Sequence, residues 1–127
     1  MGYRSQVGLC LTAQAYELFQ KALAALGAGS KQAEVVRSLM AHADNEGHDA
    51  ETGAHLWYWS YLKWYASYLD VSFIENFINT LEGEEYSFIR VGEDDDDSEI
   101  GGYFWDNPFD MYFSRGIDFD IQTAQAK

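Results

Sequence analysis

The stretch His55-Leu-Trp-Tyr-Trp-Ser-Tyr-Leu-Lys-Trp-Tyr65 decides the fold, because it can be read in two periods. As a strand it places Leu56, Tyr58, Ser60, Leu62 and Trp64 on one face. Trp57, Trp59, Tyr61, Lys63 and Tyr65 then occupy the other. As a helix it offers only the partial stripe Leu56, Trp59, Leu62 and Lys63. Aromatic enrichment favours the strand, although the helix stays open.

Working outward, residues 3–12 alternate with Val7, Leu9 and Leu11 on one face and the small residues Gly8, Cys10 and Thr12 opposite. Both faces are almost uncharged, so this reads as a central strand. Thr12 can cap a helix over 13–26 with the stripe Tyr16, Phe19, Leu23 and Leu26, stopped by Gly27 and Gly29. Ser30 opens a second helix over 31–43, with Ala33, Val36, Met40 and Ala43 inward. The polar segment Asp44–Gly53 reads as a loop. Asp70 or Ser72 starts a third helix, with Ser72 and Glu75 as a capping box and Val71, Ile74, Phe77, Ile78 and Leu81 buried. Three strands follow, Tyr86–Val91, about Ile100–Trp105 and Met111–Ile121. The Asp run sits in the turn between the first two, and Asn107-Pro108 in the turn before the last.

This order predicts one α+β domain over residues 1–127: a mixed, mostly antiparallel sheet of about four to five strands, with two to three helices on one face. The other sheet face is expected to look outward.

Charge is distributed unevenly. Between Glu82 and Asp120 lie thirteen Asp or Glu residues against Arg90 and Arg115, whereas residues 1–69 hold six acids and five bases. Most of the formal charge of −13 therefore sits late in the chain. Such a surface repels nucleic acid and phospholipid headgroups and attracts basic proteins or cations. A hydrophobic fraction of 47% with 17% aromatics excludes a disordered acidic tail. One cysteine, Cys10, excludes an internal disulfide and fits a reducing compartment, where it reads as a small core residue. The apolar run Val7–Leu11 is too short for an export signal, and no run is long enough to span a membrane.

Gly2-Tyr-Arg-Ser5, Lys63-Trp-Tyr65 with Asp70-Val71, and Arg90-Val-Gly-Glu-Asp-Asp-Asp-Asp97 together resemble a group of small uncharacterised proteins of tailed bacteriophages. The resemblance covers most of the chain as an ordered series of short motifs and fails around residues 27–53. It implies phage or prophage origin and a location in the host bacterial cytoplasm, and brings no activity or site residues with it.

Catalytic patterns are missing from the sequence. Glu93–Asp97 with Glu99 could take a cation in an exposed site, but the central glycine and the later bidentate Glu of a calcium loop are absent; the plain reading is a solvated hairpin tip. A metal-dependent nuclease would need Lys and Arg to hold phosphates. Trp57, Trp59 and Trp64 could stack on bases but read better as core. His42, His48 and His55 lack zinc-site spacing. No nucleophile elbow or phosphate loop occurs.

The expectation is therefore a non-enzymatic phage protein, without cofactor or metal, that inhibits a basic, nucleic-acid-handling host protein. Anti-CRISPR or anti-restriction action would be its concrete form, with the acids acting as a nucleic-acid mimic. Five consecutive acids in extended form would match the charge spacing of a DNA strand. The expected contact residues are Glu93, Asp94, Asp95, Asp96, Asp97, Glu99, Tyr103, Trp105, Asp106 and Asp110. Direct nucleic-acid or membrane binding is not expected; a homodimer is left open. The alternative is a phage accessory or assembly protein whose acids serve solubility.

Overall fold

The computed structural model describes residues 2–94, 96–104, 106–113 and 117–119. In chain order they form β1 (Ser5–Leu11), α1 (Ala13–Ala25), α2 (Lys31–Ala41), β2 (Asn45–His48), β3 (His55–Leu62) and α3 (Leu69–Ile78). A 3-10 turn at Gly83–Glu85 precedes β4 (Tyr86–Val91), β5 (Ser98–Gly102), β6 (Tyr112–Phe113) and β7 (Ile117–Asp118). The fold is α+β. Its main sheet has the order β2-β3-β1-β4-β5, and every pairing in it is antiparallel.

The central position of β1 follows from its side chains. Val7, Leu9 and Leu11 are buried on one face beneath all three helices, meeting Phe19, Val36, Val71 and Ile74. The helices begin where their caps dictate: Thr12 Oγ1 accepts from the Ala15 amide and Ser30 Oγ from the Ala33 amide, at 3.1 Å each. The 55–65 stretch is a strand, as its aromatics suggested. Trp57 and Trp59 face the helices, and the Trp59 indole donates to the Leu39 carbonyl at 3.0 Å.

Trp64 lies on the side opposite to that given by simple alternation. Ser5 pairs with Leu62 but Val7 pairs with Trp59, so β3 carries one extra residue. That bulge reverses the alternation, and Leu62 and Trp64 join Trp57 and Trp59 against the helices.

Four further expectations are corrected. The segment Asp44–Gly53 is not simply a loop, since residues 45–48 pair along Tyr58–His55 as an edge strand. Polar residues suffice there because only Gly47 of the four is buried. The turn is closed by Asp49, whose carboxylate accepts from the amide and hydroxyl of Thr52. The third helix begins at Leu69, so Ser72 lies inside it and donates to the Leu69 carbonyl; Glu75 instead accepts from the Trp64 indole. A capping box does form, between Glu82 and Glu85 of the 3-10 turn.

The second sheet face is covered rather than open. Cys10, Leu56 and Ile89 pack under Phe109, Met111 and Ile117 in a second core. Gly8 permits this close approach, because a Cβ there would lie 2.8 Å from the Met111 sulfur. Finally, the last strand is two short ones: β6 and β7 pair with each other and do not join the main sheet. Ser114, Arg115, Asp120 and Ile121 lie outside the described residues.

Phe109 is fully buried beneath the sheet. Phe109→Ala should therefore lower the unfolding free energy by about 3–5 kcal/mol in urea denaturation. A loss under about 1 kcal/mol would mean that the C-terminal cover is not part of the cooperative fold.

Candidate functional site

The acidic segment forms the tip of the β4–β5 hairpin. The Gly92 amide donates to the Asp97 carbonyl at 2.8 Å and the Asp97 amide to the Asp94 carbonyl at 3.0 Å, so the run turns tightly. The expected extended array is therefore not present. The acids form a compact cluster, and a turn does not reproduce the regular spacing along a DNA strand.

Arg90 organises this tip. Its Nη2 donates to Asp97 Oδ1 at 2.7 Å, Nη1 to Asp97 Oδ2 at 3.2 Å and to Ser5 Oγ at 3.0 Å, and Nε to Glu99 Oε1 at 2.6 Å. Tyr3 closes the other side, with its hydroxyl donating to Asp97 Oδ2 at 2.6 Å and accepting from the Asp94 amide at 3.0 Å. The Arg4 amide donates to Glu93 Oε2 at 2.6 Å. Gly92 is needed for this packing, since a Cβ there would collide with the Asp97 carboxylate and the Tyr3 hydroxyl. The Arg90 bond, followed by that of Tyr3, holds the Asp97 carboxyl below the usual range. The same Asp97 contact pushes the Arg90 guanidinium and the Tyr3 phenol up.

These contacts sort the ten expected residues. Asp97 is half-buried and structural, and Glu99 is paired with Arg90. Glu93, Asp94 and Asp96 are exposed and form no salt bridge among the described residues. Tyr103 belongs to the opposite end of the sheet. Its amide donates to the Gly83 carbonyl at 2.7 Å, and its ring packs against Gly83 beside Glu82, Glu84 and Glu85. With β5 between them, the tip and Tyr103 are roughly 15–20 Å apart at the usual rise per residue. Asp106 and Asp110 are exposed, one just before the Asn107–Asp110 turn and the other at its end, on the C-terminal cover. Asp95 and Trp105 lie outside the described residues. The structure thus brings together Glu93, Asp94, Asp96, Asp97 and Glu99, and separates Tyr103 from them.

Sequence reasoning missed two arrangements. One is the Tyr3–Asp97 link across the sheet end; its residues are 94 positions apart and nothing local announces it. The other is a ring stack at the far end of the sheet. Tyr16 lies on His55 with centroids 3.6 Å apart, and His55 faces His48, its cross-strand partner, at 4.4 Å. Burial, and then the neighbouring His48, pulls the His55 pKa down. The Cys10 thiol is buried, and burial pushes its pKa up, which disfavours the nucleophilic thiolate. Among the described residues, no three or more His, Cys, Asp or Glu side chains are placed to hold a metal ion, and no helix is long and apolar enough to cross a membrane.

No protein-family model, curated protein or solved structure matches this chain.

Two titrations should be visible in stability. Because His55 binds its proton less readily in the folded state, its contribution is full above about pH 6.5 and is lost as pH falls from there through its own lower value. Asp97, also depressed, contributes fully above about pH 4 and loses that contribution below. Thermal melts from pH 3 to 8 should therefore show two declines on acidification. His55→Phe should flatten the upper and Asp97→Asn the lower. Profiles parallel to the unsubstituted protein would contradict both assignments.

Proposed function

We propose that this chain is a non-enzymatic binding protein of phage origin that engages and inhibits a basic, nucleic-acid-handling host protein, in the manner of anti-CRISPR or anti-restriction proteins. The supporting observation is the hairpin tip: Arg90, Tyr3 and the turn bonds hold the backbone, while Glu93, Asp94 and Asp96 project without a salt bridge among the described residues. A fixed anionic knob loses little conformational freedom on docking against cations, which favours affinity. Long-range attraction from a net charge of −13 speeds encounter with a basic surface. The phage context comes from the resemblance of the Gly2–Ser5, Lys63–Val71 and Arg90–Asp97 motifs. Mimicry of nucleic acid then takes the form of clustered carboxylates occupying a phosphate site, not of a strand laid in a groove.

The decisive substitutions leave Asp97 intact, since removing it would disturb the tip itself. The triple variant Glu93→Gln, Asp94→Asn, Asp96→Asn should keep its melting temperature within about 2 °C, as exposed substitutions do. In affinity capture from bacterial lysate, the unsubstituted protein should retain a DNA- or RNA-handling protein, with retention fading above physiological salt and under nucleic-acid competition. The triple variant should lose it. Equal retention by both proteins, or a salt-independent partner, would overturn the proposal.

A further inference from the structure

β5 is an edge strand with space on both faces. Among the described residues, 98–102 make no backbone hydrogen bond other than to β4, so within that set the outer edge of β5 is a row of open donors and acceptors. Ile100 is 62% exposed. On the face carrying Ile89 and Ile100, a cavity of about 570 Å³ opens between the β4–β5 hairpin and the C-terminal cover, lined by Phe104, Met111 and Tyr112 with Asp110 at its rim. On the opposite face, under Gly101, a second cavity of about 300 Å³ is bounded by Glu75, Ile78, Asn79 and Glu99. One side is apolar and the other carries carboxylates.

We infer that the outer edge of β5 receives an extended segment of a partner protein in which apolar and basic residues alternate. A strand added there pairs its backbone with residues 98–101, and Gly102, with φ 72, ends the ladder. A residue opposite Ile100 shares its face and enters the larger, apolar cavity. The residues on either side of it stand opposite Glu99 and Gly101 and reach the Glu75 and Glu99 carboxylates. Charge complementarity selects this occupant over a second copy of the chain, because two chains each of formal charge −13 repel. The receiving strand also begins immediately after the anionic tip, at Ser98, so a basic partner held there is delivered to the edge. The inference rests on the proposed role as a binder of basic proteins and supplies the form of the bound segment.

The probes are two peptides of equal composition, Lys-Val repeated four times and a block of four Lys followed by four Val, titrated against the full chain at physiological salt. The alternating peptide should bind at least tenfold tighter and slow amide exchange across residues 98–101. Ile100→Lys, at an exposed position, should leave the fold intact and remove the preference. Equal binding of the two peptides, no binding of either, unchanged exchange on β5, or β5 protection without peptide in a concentration-dependent dimer would each overturn the inference. The two readings fail separately. If Ile100→Lys still captures the nucleic-acid-handling protein while the tip variant does not, the edge assignment falls and the proposed function stands. Alternating-peptide protection of β5 with no such protein captured gives the reverse.

Discussion

The Arg90 guanidinium is the interaction on which the acidic end of this molecule depends. It lies on the first strand of a hairpin whose turn carries consecutive carboxylates, and it engages Asp97 through two nitrogens and Glu99 through a third. Without a cation at that point, like charges a few ångströms apart would push the turn open. With it, the hairpin tip is also joined to the first strand, because the same guanidinium reaches Ser5 and the same aspartate accepts from Tyr3. Isolated surface ion pairs contribute little. This one is forked, its Arg side chain is only 12% exposed, and it is shared among three chain segments, which is the setting in which such pairs hold structure.

The rest of the fold supplies the platform. β1 is buried on both faces, so it needs neighbours on both edges and a layer on each side. The helices form one layer and the C-terminal segment the other. That arrangement leaves β2 and β5 as the sheet edges. β2 is short and polar, whereas β5 combines an exposed isoleucine with two glycines.

Local signals in the sequence carried much of this. The caps at Thr12 and Ser30, the inward stripes of the helices, the Tyr86–Val91 strand and the aromatic strand at residues 55–62 could all be read from neighbouring residues. What could not be read depends on distant partners. β2 is polar and forms because β3 offers its edge. The reversal of Trp64 comes from an extra residue in the β1–β3 pairing, visible only once the register is known. The C-terminal cover packs on Gly8, more than 100 positions away. At the site, the Asp run announced a charged turn. It did not announce which carboxylates Arg90 would neutralise, nor that Tyr103 would pack at the other end of β5.

Charge count alone would treat Glu93 through Asp97 as equivalent. The structure divides them by role: Asp97 holds the turn and Glu93 accepts from the Arg4 amide at the exposed rim, while Asp94 and Asp96 face solvent. The most direct measurement of this division is native-state amide exchange at Gly92, Asp94 and Asp97 in the unsubstituted protein and in Arg90→Gln. The account predicts clear protection that collapses selectively in the variant, with amides of β1 and β3 unaffected. Equal protection in both proteins, or none in either, would contradict it.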